Sequence, residues 1–331
     1  MFEPASIKDH TFSGALSEVC AGFISEKRAV GYNYSTEAKH LSEFSRFTKK
    51  FDLPENTLTK EVVDAWISRR PNDSDRNYYS RYALIKLFAE HMIRTGYEAY
   101  CPDRSDLAKI HWGYIPYIFT HNEIHSFFEV ADTMKKKTNT MSPRRHLIMP
   151  ILFRLLYCCG LRLSEVVTLT RHDVDFDNGI LTIRESKFGK MRYVPMSVEI
   201  TTVCAHYAEN HLYKHELFFF PSPRGGRYDT RTVYNVFRDL LWEAGISHAG
   251  RGKGPRAHDF RHTFAVHCLE KWSRKNVPLS AALPRLSAYL GHNNLAATER
   301  YLRMTAEVYP EVSELLSEKY GYIIPKDGAI E

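Results

Sequence analysis

The sequence predicts a mainly α-helical protein of two domains: an all-helical N-terminal domain, and a larger α+β domain with a small antiparallel sheet. Three observations carry this reading. The chain has 331 residues, too long for one ordinary domain and suited to two. Apolar residues recur with a helical period through most of it. The alternation expected of β-strands is clear in one place, on either side of "KFGK" at residues 187–190.

The helical reading begins at Tyr34. Ala38, Leu41 and Phe44 follow it at three- or four-residue steps, continuing to Phe47 and Phe51. A second helix, "KEVVDAWISRR", is stopped by Pro71. A third, "RNYYSRYALIKLFAEHMIRTG", puts Tyr79, Ala83, Leu87 and Phe88 on one face and ends at Gly96. Arg76, Arg81 and Lys86 occupy its other positions, where a solvated face explains them as simply as an anionic partner does. About thirty residues precede the first of these helices and show no zinc or strand pattern, so no additional N-terminal domain is expected.

Periodicity lapses over residues 101–118, and within them we place a linker at 106–118, between domains 1–105 and 119–331. The second domain opens with Thr120 and Glu123 at capping-box spacing. Its β signal is "GILTIRES" followed by "MRYVPM", with a turn at Asp177-Asn178-Gly179 before the first strand. A hairpin or a three-stranded sheet is expected there.

Composition excludes several classes. Hydrophobic residues make up 44% and charged residues 25%, the balance of a globular protein with a sizeable core. The net charge of +6 is a mild bias towards anionic partners. The six cysteines (20, 101, 158, 159, 204 and 268) contain no C-x-x-C pair, and reduced, intracellular thiols are expected. "MFEPASIKDH" carries no signal pattern, and "LIMPILFRLLYCCGL" is interrupted by Pro150 and Arg154 and is shorter than the ~18 residues of a span. A cytoplasmic protein without a membrane segment is expected.

Several residues could carry chemistry, and each has an ordinary explanation. Arg162 in "GLRLSE" follows Gly160 and begins a helix, where a guanidinium suits phosphate oxygens or simply faces water. Lys187, at the hairpin tip, is either an inert surface lysine or a proton donor to a leaving oxygen. In "HDFRHTF", His258 and Arg261 share a helix face, while His258 and His262 have the i, i+4 spacing of two zinc ligands. No H-E-x-x-H or partner ligand supports zinc there, and His211 and His215 repeat the spacing with as little support. "GRGKGPRA" lacks the G-x-x-x-x-G-K-[ST] spacing, so nothing argues for ATP. In "LSAYLGHNNLAATERYL", His292 follows a helix-ending glycine and Tyr301 lies nine residues on. That tyrosine is either a packing residue or a nucleophile needing cationic neighbours.

Taken in order, Arg162, Lys187, His258-x-x-Arg261, His292 and Tyr301 resemble the tyrosine recombinase, or phage integrase, family. The matching stretches are "GLRLSE", "SK" before "FGKMRYVP", "HDFRHTFA" and "LGHNNLAATERY", covering roughly residues 120–302. Ser186 departs from the pattern, since many members have glycine before the lysine. The layout is similar to that of Xer-type recombinases.

The resemblance implies a site-specific DNA recombinase that uses no cofactor, neither a metal nor ATP. Tyr301 would attack a DNA phosphodiester and form a 3′-phosphotyrosyl bond. Arg162 and Arg261 would clamp the phosphoryl oxygens, with His258 and His292 completing the cradle and His258 taking the tyrosine proton. Lys187 would protonate the departing 5′-oxygen, and Glu165 would support the arginine. The N-terminal domain would be a core-binding half of a clamp on double-stranded DNA, with Arg76, Arg81 and Lys86 as candidate phosphate contacts. A C-terminal helix at about 307–320 would dock on a neighbouring protomer, giving a dimer per site and a tetramer in the synapse. A second, related recombinase is a further candidate partner. The rival readings are relaxation of DNA by a type IB topoisomerase, and an architectural DNA-binding protein without catalysis.

Overall fold

A computed structural model describes residues 10–71, 73–106, 115–136, 142–184, 191–248, 250, 254–292, 298 and 301. The chain divides into two compact units, Met1–Tyr114 and Ile115–Glu331.

The first unit is a bundle of α1 (Ser17–Ala29), α2 (Ser35–Thr48), α3 (Lys60–Ile67) and α4 (Asp75–Arg94). Its core is aromatic: Phe23 meets Phe88 edge-on at 5.6 Å, and Phe44 meets Trp66 at 5.2 Å. Helix α1 lies in the stretch expected to precede the first helix. Leu16, Val19, Cys20, Phe23 and Ile24 are all buried, and their i, i+3, i+4, i+7, i+8 spacing is what makes that helix pack.

On helix α4 the expected face holds for Phe88, which is in the core, and for Tyr79 and Ala83, which pack against it half-buried, and fails at Leu87. Its buried stripe is Tyr78, Tyr82, Ile85, Phe88, Ala89 and Met92, whereas Leu87 is exposed. Tyr78 is buried as well, with the Arg69 and Arg81 guanidinium groups over its ring. Arg81 itself is only 7% exposed. Its Nη1 and Nη2 donate to the two Asp73 carboxylate oxygens at 2.9 and 2.7 Å, and Nη2 also donates to the Ser68 carbonyl. The expectation of a phosphate contact at Arg81 is therefore corrected: its charge is committed to Asp73 and ties α4 to the segment after α3. Arg76 is exposed and Lys86 half-buried.

The second unit contains α5 (His121–Asp132), α6 (Arg145–Cys158), α7 (Leu163–Thr168), β1 (Val174–Asp175), β2 (Ile180–Ile183), β3 (Arg192–Pro195), α8 (Val198–His211), α9 (Thr230–Glu243), α10 (Asp259–Arg274) and α11 (Leu279–Leu290). Thr120 caps α5 with the anticipated box: its Oγ1 accepts from the Glu123 amide, while Glu123 accepts from the Thr120 amide. The strands form an antiparallel sheet of order β1-β2-β3, with Leu181 opposite Val194 and both fully buried. Asp175 accepts from the Asp177 and Asn178 amides, and Gly179, at φ +65°, completes the turn into β2.

One side chain organises the helical core. Phe260 in the first turn of α10 is fully buried, with the rings of Phe119, Phe127, Phe237 and Phe153 centred 5.0–6.3 Å away. Anchoring this residue fixes the rotation of α10, and with it the direction of His258 and Arg261 on either side. All the cysteines are free thiols. Among the described residues no helix is long and apolar enough to cross a membrane.

Candidate active site

The second unit brings together segments far apart in sequence: the start of α7, strand β3, the N-terminus of α10, and the chain after α11. Arg261, 2% exposed, lies at the centre. Its Nη1 donates to the Gly160 carbonyl at 2.6 Å and its Nη2 to the Leu290 carbonyl at 2.5 Å. Gly160 has φ +57°, and a Cβ there would lie 2.5 Å from the Phe264 ring, so only glycine fits. Burial, then the nearby Arg162 charge, lowers the Arg261 pKa to about 10, which leaves it cationic at neutral pH.

Arg162 is the N-cap of α7, and it is held by Glu165 one turn on. Glu165 accepts from the Arg162 amide at 2.8 Å and from its Nη1 at 2.7 Å. The same carboxylate accepts both Nη groups of Arg192 on β3 at 2.8 Å each. Burial would raise the Glu165 pKa, but the two guanidinium groups outweigh it and hold the carboxyl at about 2. Arg192 Nε donates to the Tyr289 carbonyl at 3.2 Å, and the Tyr289 hydroxyl donates to the Pro195 carbonyl at 3.0 Å, so β3 and α11 are fastened to each other. Gly291 ends α11 at φ +66°, and a Cβ there would lie 3.0 Å from the Arg192 Cδ.

His258 and His292 face this cationic centre. Burial, then the charges of Arg261 and Arg162, lower both pKa values to about 4, so both rings are neutral at pH 7. His292 Nδ1 lies 2.8 Å from Thr298 Oγ1. Tyr301, 3% exposed, stacks on the His292 ring at 6.0 Å, and its hydroxyl lies 3.0 Å from His262 Nδ1. Its charge, if ionised, would be felt by Arg261.

Five of the six residues singled out from sequence (Arg162, His258, Arg261, His292 and Tyr301) thus share one electrostatic neighbourhood. Lys187 and the helix expected at 307–320 lie outside the described residues. Sequence reasoning missed Arg192, a charge alternating into a strand that otherwise reads as packing. It also undervalued His262, whose i, i+4 relation to His258 serves ring contact at 4.9 Å and a bond to Tyr301.

A separate group, His121, His267 and Glu270, has donor atoms within 4.8 Å of one another, close enough to hold a metal ion. His121 Nε2 lies 3.1 Å from Glu270, which also accepts from Arg274, and His267 Nδ1 lies 2.9 Å from the Tyr157 hydroxyl.

A buried arginine, a partly buried one, two neutral histidines and a sheltered tyrosine thus meet on a helical fold with a three-stranded sheet. The chain belongs to the phage integrase family, whose pattern it matches over residues 118–307. It is 30% identical over 316 residues to a Sinorhizobium fredii protein named as an integrase/recombinase, covering 94% of this chain and 98% of that one. The tyrosine recombinase XerC of Chlamydia caviae is 25% identical, with 80% of each chain covered. Among solved structures, the post-cleavage complex of the XerH recombinase with difH DNA shares the fold at TM-score 0.62 and 16% identity, covering 93% of this chain and 91% of that one. The Tn1549 transposon integrase with circular-intermediate DNA does so at 0.60 and 18% identity, covering 86% and 94%.

Proposed function

We propose that this chain is a site-specific DNA recombinase in which Tyr301 cuts and rejoins DNA through a 3′-phosphotyrosyl bond. The observation that carries the proposal is the convergence of Arg162, Arg261, His258 and His292 on the buried Tyr301 from segments up to 139 positions apart in the sequence (301 minus 162). Membership of the phage integrase family and the likeness to proteins named tyrosine recombinases support it.

The chemistry follows from the charges. As the Tyr301 oxygen bonds to phosphorus and the bond to the 5′-oxygen breaks, negative charge grows on the non-bridging oxygens. Arg261 is fixed by two carbonyls and Arg162 by Glu165, so neither must reorganise to meet that charge. His258 and His292, neutral at pH 7, donate hydrogen bonds to the same oxygens. Lys187 protonates the leaving 5′-oxygen. The phosphotyrosyl ester retains the energy of the broken linkage, so rejoining consumes no ATP, and the cationic cradle takes the place of a metal ion. A 5′-hydroxyl from a second duplex then attacks, completing exchange. The first unit contributes Arg76 and Lys86 to the backbone of the duplex. The working assembly is a dimer on each site and a tetramer in the synapse, acting on DNA in the cytoplasm.

A duplex selected for binding from a randomised pool, and nicked beside each candidate scissile phosphate in turn, tests this reading. The protein should form a covalent adduct stable to denaturant, and Tyr301→Phe should abolish the adduct while leaving binding within about twofold. Relaxation of supercoiled DNA without joining of two duplexes, or binding with no adduct on any nicked site, would sink the proposal.

A further inference from the structure

The family resemblance gives the Tyr301 proton to His258, yet the geometry points to a different histidine. His262 Nδ1 lies 3.0 Å from the Tyr301 hydroxyl, with the two rings centred 5.6 Å apart at 50°. His292 stacks nearly parallel on the phenol, at 19°, so its ring face rather than its edge meets Tyr301, and its Nδ1 is turned to Thr298. His262 sits one turn beyond His258 on α10 and packs edge-on against that ring at 4.9 Å. It is thus placed behind the phosphate cradle, beside the nucleophile.

We infer that His262 is the proton acceptor of the nucleophile: its Nδ1 takes the Tyr301 phenolic proton as the new O–P bond forms. The inference rests on the recombinase reading above. In the tautomer protonated on Nε2, Nδ1 accepts the hydroxyl's hydrogen bond before reaction. The phenolic proton moves to Nδ1, the phenolic oxygen bonds to phosphorus, and the 5′-oxygen leaves with a proton from the acid on its own side. On rejoining, the imidazolium returns its proton to the tyrosine oxygen. No oxidant, metal or co-reactant is required. His258 is freed of the proton-acceptor role and acts only as a donor to the phosphate, in keeping with its position between the two arginines.

The test uses single-turnover adduct formation by the full chain on the nicked duplex. His262→Gln can still hydrogen-bond the phenol but cannot carry its proton, and His262→Ala opens a space that imidazole can fill. Both variants should bind the duplex as wild type does and form the adduct on the order of 10²-fold more slowly, the lower range for a lost general base. Imidazole at tens of millimolar should speed His262→Ala at least tenfold and leave His262→Gln unchanged. Adduct formation by either variant within threefold of wild type, or no rescue of His262→Ala, overturns the inference while the recombinase reading stands. A wild-type chain that forms no adduct on any nicked site overturns that reading, and this inference with it.

Discussion

Replacing Glu165 by glutamine keeps the shape of the side chain and removes a charge that two guanidinium groups share. The carboxylate is 2% exposed and accepts four hydrogen bonds, two from Arg162 and two from Arg192. Glutamine presents an amide donor where one acceptor oxygen stood, and it leaves two partly buried cations without a counter-charge. Removing one partner of a buried ion pair costs about 3–5 kcal/mol. An independent route agrees. Holding the carboxyl at about 2 rather than 4.5 corresponds, at about 1.4 kcal/mol per pH unit, to about 3 kcal/mol. Because the folded pKa is depressed, this stabilisation is fully present above pH ~5 and is lost as pH falls towards 2. Urea unfolding of the full chain should therefore show Glu165→Gln about 3 kcal/mol less stable at pH 7, with the gap falling to roughly half by pH 3. A gap under 1 kcal/mol at pH 7, or one that does not change with pH, would refute the shared-carboxylate account. Adduct formation should fall alongside, by about 10²-fold or more, because Arg162 loses its anchor.

Other outcomes follow from the same geometry. Gly160→Ala places a methyl group against Phe264 and holds an L-residue at positive φ, so it should cost about 2–4 kcal/mol and lower the melting temperature measurably. Arg81→Gln should destabilise the protein by about 3 kcal/mol, visible by urea unfolding, because Asp73 loses its partner. Arg76→Gln and Lys86→Gln should leave stability within about 0.5 kcal/mol and each reduce the salt slope of DNA binding by about 1. An unchanged slope in both variants would remove the first unit's α4 from the DNA contact surface.

Local chemistry was the most readable part of the chain. The Thr120 box, the Asp177-Asn178-Gly179 turn and the glycine end of α11 all depend on residues within four positions of each other, and each has the anticipated structure. The convergence of Arg162, His258, Arg261, His292 and Tyr301 was legible because family spacing stood in for a fold that local rules cannot supply. Helix α1 was missed although its apolar spacing is regular, because Gly22 and scattered charge weaken the stripe and the Tyr34 ladder is the stronger signal. On α4 the extent of the covered face was not legible: Tyr78 and Ile85 are buried and Leu87 is exposed, and the helices packed on α4 decide which positions are covered. Arg81 shows the same limit. A cation on a helix reads as solvated until Asp73, eight positions earlier, is seen beside it.

The two carbonyls that hold Arg261 lie at the C-terminal ends of α6 and α11: Gly160 lies just past the one, and Leu290 closes the other. The guanidinium therefore neutralises the negative poles of two helices at the centre of the site. Lysine could restore the charge there but could not bridge both carbonyls, so even the most conservative exchange unfastens two helices. At this position one set of atoms closes two helix ends and carries the charge at the centre of the site, so a substitution that spares one role still disturbs the other.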